Sequence, residues 1–311
     1  MSPDPTRRTV VLIGLGVLAA GCAGARPKSS VRPSASSAVS RSPTARSASP
    51  RPTPSATTRR PTAAATSPAP RATLPSVRRW TPDGNEVTPA AKLAAVRRIE
   101  HDGNGPHSAL QVIDAQYGGI LRDSASVLVV TRAWTRRGAL LTPGGHTFDV
   151  RLSRVAGRWQ VTAIHPSHPA APARYSRAAR RVLTSDRIDL PPAARLDVES
   201  GQVHDSVLTA MLTLARDFHL GVSVVRSGHP TYVFGTSRHS DHPQGRAFDT
   251  WRINGHPIVD ARTSRSLITD YMHAAAAAGS YNVGGPYLLG GAPQWFSDAT
   301  HHDHVHAGFR S

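Results

Sequence analysis

The sequence predicts an α+β fold, and three observations support that class. Residues 88–102 have a helical pattern, with Thr88 at the N-cap position and Pro89 as the first helical residue. Three runs that follow, SVLVVTRAWTR, HTFDVRLSRV and RWQVTAIHP, alternate apolar and polar residues as strands do, and TPGGH forms a turn between two of them. A second set of helical and strand patterns occupies the C-terminal half of the chain.

The C-terminal half is predicted to contain a central antiparallel sheet with flanking helices. The run DSVLTAMLTLARDFHLG places its apolar residues on one helical face, with Asp205 or Ser206 as the cap and Gly221 as the stop. SRSLITDYMHAAAAAG is a second helix, which ends at Gly279. VSVVRSG, AFDTWRI and DHVHAGF are predicted strands.

Composition divides the chain into four segments. Residues 1–22 are predicted to be a signal peptide, residues 23–80 a linker, residues 81–170 a small α+β module, and residues 176–311 a larger C-terminal domain. The Pro-rich stretch HPSHPAAPARYS marks the boundary between the last two segments. The module resembles the cone-shaped NTF2-like domains of actinobacterial lipoproteins, and it is expected to position the C-terminal domain or to dock on a partner.

The N-terminal segment has the features of an export signal. Arg7 and Arg8 precede an apolar run over residues 10–20, which is too short to span a bilayer comfortably. LAAGC resembles a bacterial lipobox, which implies that Cys22, the only cysteine of the chain, carries a lipid. We therefore expect a lipoprotein on the outer face of the cell membrane. An ordinary cleaved signal with an incidental cysteine is the alternative, and TRRTVVL leaves general and twin-arginine export both open.

The linker explains most of the basic charge. Residues 23–80 are rich in Ser, Pro, Ala, Thr and Arg, lack acidic residues, and have too few large apolar residues to fold, so we predict disorder. Most of the net charge of +17 therefore lies outside residues 81–311. A tail of this kind suits anionic lipid or wall polymers, or acts only as a spacer, and nucleic-acid binding is disfavoured.

Two histidine-rich stretches, SDHPQGRAFD and HHDHVH, indicate a metal site. A single cysteine excludes Cys-rich zinc modules, so a metal would need His and Asp ligands. His242 and Asp249 lie seven residues apart with Gly245 between them, where a turn can form. His304 and His306 are two apart, which puts them on one face of a strand. His242, Asp249 and His306 would then converge, and two imidazoles with one carboxylate favour Zn²⁺.

These stretches resemble the motifs of the LAS-type zinc peptidases, a family of D-alanyl-D-alanine carboxypeptidases and peptidoglycan endopeptidases. The first family motif, S-x-H-x-x-G-x-A-x-D, is matched from Ser240 to Asp249, and the second is matched by Asp303, His304 and His306. The resemblance implies an enzyme that hydrolyses peptidoglycan stem peptides, with His242, Asp249 and His306 as zinc ligands. Asp303 or His304 would then act on the catalytic water or on the oxyanion.

One departure from the family concerns the substrate. The family often has S-G-[FY]-R upstream, with the Arg binding a substrate carboxylate, whereas this chain has Arg226-Ser227-Gly228-His229. Arg226 remains the expected substrate-binding residue, and its different position leaves the mode of binding open.

Two functions are weighed at this stage. The first is the zinc peptidase, with carboxypeptidase and endopeptidase activity, and D,D- and L,D-bond preference, left open. The alternative is a non-catalytic, zinc-containing lipoprotein that binds the cell wall or acts as a sensor. The expected partners are peptidoglycan peptides and the membrane, and the oligomeric state is left open.

Overall fold

Two β-sheets organise the chain in a computed structural model, which describes residues 72–311. The combination of five-stranded and seven-stranded sheets with five helices in this part of the chain confirms the predicted α+β class. The predicted signal peptide, Cys22 and nearly all of the predicted linker lie outside the described residues. Within residues 72–311, no helix has both the length and the apolar character that a membrane span requires.

The first sheet is antiparallel throughout. Its strands follow one helix in the chain, and the elements are α1 (Pro89–Gly103), β1 (Ser108–Ile120), β2 (Ser124–Arg137), β3 (Leu140–Gly144), β4 (Thr147–Val155) and β5 (Arg158–Pro166). The strand order is β1-β2-β4-β5, and β3 pairs with β2. Helix α1 packs its Ala95, Val96 and Ile99 against this sheet, where they share a core with Val127 and Val129.

The second sheet is mixed. The elements of this region are α2 (Arg177–Leu183), β6 (Ile188–Asp189), α3 (Pro192–Glu199), α4 (Asp205–Leu214), β7 (Leu220–Val222), β8 (Ala247–Ile253), β9 (His256–Pro257), α5 (Arg265–Ala277), β10 (Asn282–Gly284), β11 (Trp295–Phe296) and β12 (Val305–Gly308). The order is β11-β10-β12-β8-β7-β6, with β9 beside β8. The four central strands are antiparallel, as predicted, whereas the pairs β10–β11 and β6–β7 are parallel.

Most of the predicted elements are present, and several boundaries differ. The predicted runs contain strands β2, β4, β5, β8 and β12 and helix α5. The elements that were not predicted are strands β1, β3, β6, β9, β10 and β11 and helices α2 and α3. Thr88 does occupy the N-cap position of α1, but its side chain forms no capping bond. Within TPGGH, residues 142–144 belong to β3 and pair with β2, so the turn is shorter than predicted.

Helix α4 and the strand after it are both shorter than predicted. His204 occupies the cap position of α4, and the helix ends at Leu214, so Gly221 is not its stop. Gly221 lies instead within β7, where a Cβ atom would come within 2.9 Å of the Arg252 Cβ on the neighbouring strand. The chain leaves regular pairing after Val222, although Ser223 N still donates to the Asp249 carbonyl.

The two sheets are in direct contact. Each has its own hydrophobic core, and a third cluster joins Leu128 and Val130 of β2 to Val224, which follows β7. All three of these side chains are fully buried. This contact brings the first sheet against the part of the second sheet that carries the predicted metal ligands.

Candidate metal centre

Strand pairing places Asp249 beside His306. The two residues are register partners in the antiparallel pair β8–β12, so their side chains emerge on the same face of the sheet at neighbouring positions. Both are buried. The hydrophobic residues around them, Phe248 and Ala307, point to the opposite face and belong to the core, as strand alternation requires.

A glycine turn delivers His242 to the same point. Gly245 has a φ of 70°, and a Cβ atom at this position would lie 2.0 Å from the Gln202 carbonyl oxygen. Its N–H donates to the His242 carbonyl at 2.8 Å, which closes the turn. No residue other than glycine fits here without a shift of the backbone, so the chain reverses sharply between His242 and the start of β8.

Three potential ligand atoms form a nearly equilateral triangle. His242 Nε2 lies 3.1 Å from Asp249 Oδ1 and 3.1 Å from His306 Nδ1, and His306 Nδ1 lies 3.0 Å from Asp249 Oδ1. Zinc bonds of about 2.0–2.2 Å in tetrahedral geometry hold two ligand atoms about 3.3 Å apart. The observed spacing is close to that value, so the residues present fit one zinc ion.

The protonation states also fit a metal. His242 Nδ1 lies 2.8 Å from the Val225 carbonyl, which can only accept, so Nδ1 carries a proton and Nε2 is the nitrogen that faces Asp249 and His306. Burial lowers the pKa of His306 to about 4, although Asp249 opposes the change, so this imidazole is neutral. Burial alone would raise the pKa of Asp249, but the His242 and His304 imidazoles hold it well below its usual range.

His229 is a fourth candidate ligand, which the sequence analysis did not identify. The ligand atoms of His229, His242 and Asp249 lie within 4.8 Å of one another. The His229 ring stacks on that of His242, with centroids 4.2 Å apart. Its Nδ1 donates to the Pro230 carbonyl at 2.9 Å, and burial with the nearby His242 lowers its pKa well below the usual value, so Nε2 is free of a proton. Its place directly after Ser227-Gly228, where the family pattern S-G-[FY]-R has an aromatic residue, was the available signal.

His304 lies beside the three ligand atoms and is oriented by Asp303. Its Nε2 is 3.9 Å from Asp249 Oδ2, and its Nδ1 is 2.6 Å from Asp303 Oδ1. Burial lowers the pKa of His304, but Asp249 and Asp303 outweigh that effect and raise it above the usual value. The other Asp303 oxygen accepts from Tyr117 N at 3.2 Å and from the Lys92 ammonium at 2.6 Å.

A buried lysine neutralises the carboxylates behind His304. Lys92 of α1 is fully buried, and its Nζ contacts both Asp303 and Glu86. Burial lowers the pKa of Lys92, but these two carboxylates raise it above its usual value overall. A second group with the spacing of a metal site consists of Glu86, His302 and Asp303. The Lys92 ammonium group already supplies the cation there, because it contacts both carboxylates.

Strand β1 also reaches the centre. Gln116 Nε2 donates to Asp249 Oδ2 at 2.6 Å, and its Oε1 accepts from the Ser223 hydroxyl. The next five residues of β1 and its turn line a cleft that opens above the three ligand atoms. The sequence analysis assigned no site residue to residues 81–170, because these contacts join positions that are far apart in the chain.

The cleft has a volume of about 420 Å³ and two walls. The first sheet provides one wall through residues 117–121, and the C-terminal region provides the other through the segment around Phe296 and His301. The floor of the cleft is formed by His229, His242, Asp249, His304 and His306. Asp303 does not line the cleft. Arg238 is the guanidinium group at the cleft.

Arg226, the expected substrate-binding residue, lies elsewhere in the structure. It lines a neighbouring depression with Asp149, Arg151 and His165. Its backbone N–H and that of Ser227 donate to the buried Asp197 carboxylate, at 3.0 and 2.7 Å. The structure therefore brings together His242, Asp249, His306 and His304, with Asp303 behind His304, and does not bring Arg226 into the same cleft.

Comparison with known proteins adds no further assignment. No family model, no curated protein and no solved structure matches this chain. The residues of the centre and the distances between them are therefore what bears on its function.

Proposed function

We propose that this protein is a zinc-dependent peptidase that hydrolyses the stem peptides of peptidoglycan. The observation that carries the proposal is the buried triangle of His242 Nε2, His306 Nδ1 and Asp249 Oδ1 at the floor of an open cleft, with His304 beside it. Three protein ligands with space on one side is the arrangement of catalytic zinc sites, in contrast to the closed four-ligand sites that serve structure.

His242, Asp249 and His306 would hold the ion. Zinc, when bound, supplies a Lewis acid that polarises a carbonyl group and makes water acidic near neutral pH. Neutral imidazoles and an ionised carboxylate are the forms that such ligands need, and the buried tautomer of His242 is already the ligating one. The His229 ring stacks on His242 and would limit how a substrate approaches that side of the site.

His304 is the proposed proton carrier. During hydrolysis, the water oxygen bonds to the carbonyl carbon, the C–N bond breaks, and one proton moves from the water to the leaving nitrogen. His304 Nε2 faces the cleft floor, while Nδ1 is held by Asp303. His304 Nε2 takes a proton from the attacking water, and the raised pKa favours the imidazolium form that results, which stabilises the oxyanion and then gives that proton to the leaving nitrogen.

Asp303 is better suited to orienting His304 than to accepting the proton itself. Burial would raise its pKa, but Lys92 and His304 hold it below the usual carboxyl range. Its two oxygens already accept from His304, Tyr117 N and Lys92. A carboxylate that is paired in this way fixes the ring of its partner and favours the tautomer with a proton on Nδ1.

The substrate class rests on the motif resemblance, and the cleft is compatible with it. The cleft is open enough for a peptide, and Arg238 supplies a positive group at the place where Arg226 does not reach. The proposed lipid at Cys22 and the linker would hold the enzyme at the outer face of the membrane, within reach of the wall.

The test is digestion of purified muropeptides by the full chain, followed by mass measurement of the products. We expect release of a D-residue or cleavage of a cross-link, and a chelator should abolish it. His242→Ala and His306→Ala should show no turnover, because each removes a ligand. Elemental analysis should find zinc in the wild-type chain and little zinc in either variant.

His256→Ala is the matched control, because His256 is exposed on β9 at a distance from the cleft. This variant should keep both zinc and turnover. Normal cleavage by the His242→Ala/His306→Ala double variant would contradict the proposal. Zinc bound by the wild-type chain without turnover of any muropeptide would favour the non-catalytic wall-binding or sensor function instead.

A further inference from the structure

One buried link between the two sheets is polar and ends on a proposed metal ligand. Gln116 lies on β1 of the first sheet, and only 1% of its surface is exposed. Its amide nitrogen donates to Asp249 Oδ2 at 2.6 Å, across 133 positions of the chain. Its amide oxygen accepts from the Ser223 hydroxyl, so both ends of the amide are satisfied.

The hydrogen bond from Gln116 gives the two carboxylate oxygens of Asp249 different roles. Oδ1 lies 3.1 Å from His242 Nε2 and 3.0 Å from His306 Nδ1, so it is the oxygen that faces the ligand triangle. Oδ2 is the oxygen that Gln116 holds. A carboxylate fixed in this manner presents a single oxygen in a single orientation, and hydrogen bonds of this kind tune the affinity of a metal site.

Ser223 fixes the orientation of the Gln116 side-chain amide. Its backbone N–H donates to the Asp249 carbonyl at 3.0 Å, so its position is set by strand β8. Its hydroxyl then directs the oxygen of Gln116 away from Asp249 and the nitrogen toward it. The chain Ser223–Gln116–Asp249 therefore has one consistent set of donors and acceptors.

The same strand supports the neighbouring proton carrier. Tyr117 N donates to Asp303, which orients His304, and Lys92 of α1 contacts the same carboxylate. Residues 117–121 then form a wall of the cleft. Gly119 allows this close approach, since a Cβ atom there would lie 2.0 Å from the Phe234 Cβ of the C-terminal region.

We propose that the N-terminal module (residues 81–170) is an integral part of the active centre, with Gln116 as a positioning residue that fixes Asp249 as a one-oxygen metal ligand. This inference rests on the proposed metal centre, but it concerns a separate property. It differs from a docking role for the module, because a docking module could be altered at Gln116 without an effect on metal binding.

The experiment measures zinc affinity in the full chain by competition with a chromophoric chelator. Gln116→Met keeps the length of the side chain and removes its donor and acceptor. Loss of such a supporting hydrogen bond costs about 10–100-fold in metal affinity, and we expect a loss in that range. Gln116→Glu places a second carboxylate against Asp249 and should weaken binding at least as much.

Gln111→Met is the matched control, because Gln111 lies on the same strand opposite Arg132 and away from the centre. It should bind zinc as the wild-type chain does. Ser223→Ala tests the link from the other side if Gln116→Met does not fold. Ser223→Ala should lower the zinc affinity by about 2–10-fold. In the Gln116→Met background it should cause little further loss of zinc affinity, because both changes break the same chain of hydrogen bonds.

The outcomes separate this proposal from the peptidase function. Wild-type zinc affinity in folded Gln116→Met, or an equal loss in Gln111→Met, would overturn the positioning role and leave the peptidase proposal intact. Zinc binding that depends on Gln116 in a chain without turnover would support the positioning role and reject the peptidase. A wild-type chain that binds no zinc would reject both.

Discussion

Two clusters of carboxylates and imidazoles lie side by side in this molecule. One consists of Asp249 with His242 and His306, and the other consists of Glu86 and Asp303 with His302. Lys92 places its ammonium group inside the second cluster, whereas no lysine or arginine among the described residues forms an ion pair with Asp249. Similar residue types therefore give a permanent internal ion pair in one place and an apparent metal site in the other.

The difference lies in what compensates the negative charge. An ionised carboxylate that is buried without a partner is very costly, and it needs a cation or several donors. The second cluster has a covalently attached cation and needs no other. The first has imidazoles and the Gln116 amide, which leave room for a cation from solution.

The largest expected effect comes from removing the charge of the first cluster. Asp249→Asn keeps the size of the side chain and removes the negative charge that faces both imidazoles. We expect zinc content to fall from about one ion per chain to a small fraction of that, together with loss of turnover. Elemental analysis after gel filtration measures the zinc content. A variant that retains one zinc ion per chain would show that Asp249 is not a ligand.

Removing the cation of the second cluster should act on stability. Lys92→Met leaves Glu86 and Asp303 buried without their partner, and breaking a buried pair costs about 3–5 kcal/mol. Urea unfolding should detect this loss. Unchanged stability would mean that the ion pair is not what holds this cluster together.

The third prediction concerns pH. Burial and the nearby Asp303, opposed by Lys92, raise the pKa of Asp114 from 3.8 to about 7. Between these values the folded chain keeps a proton that the unfolded chain releases, so the contribution of Asp114 to stability is full at low pH and is lost as the pH rises toward 7. Asp114→Asn removes this dependence.

We therefore expect Asp114→Asn to be more stable than the wild-type chain at pH 8, by on the order of 1–3 kcal/mol, and closer to it at pH 5. Urea unfolding at the two pH values checks this. An equal difference at both values would show that packing, rather than ionisation, distinguishes the two side chains.

The smallest effect is expected at His302. Its Nε2 accepts from Val87 N at 3.0 Å, and its Nδ1 donates to the Ala299 carbonyl at 2.8 Å. His302→Ala should lower the free energy of unfolding by about 1–2 kcal/mol, because one buried group loses its partner. Zinc affinity should change less than twofold, and a larger change would mean that the two clusters are not independent.

Sequence spacing was sufficient to indicate which side chains of the candidate metal centre lie together. The interval between His242 and Asp249 requires a turn at Gly245, and the alternation of His304 and His306 puts both next to Asp249. These relations depend on local geometry, which a strand and a glycine determine. The zinc itself, its chemistry and the substrate remain proposals.

The contacts between the two sheets could not be predicted in the same way. Gln116 meets Asp249 only because the apolar contact of Leu128 and Val130 with Val224 docks the sheets in one orientation. No spacing rule connects such distant positions. Lys92 is different, since it lies four and seven residues from Val96 and Ile99 and thus on the buried face of α1, a signal that helical periodicity already contained.

The bond between Gln116 and Asp249 also bears on the order of folding. It joins residues 133 positions apart, and the bond from Tyr117 to Asp303 spans 186. Contacts of such high sequence separation form late, after local hairpins and helices, because a long loop must be closed first. A growing chain therefore has no complete centre until β12 is in place, and an incomplete or misassembled copy would lack the convergence of His242, Asp249 and His306.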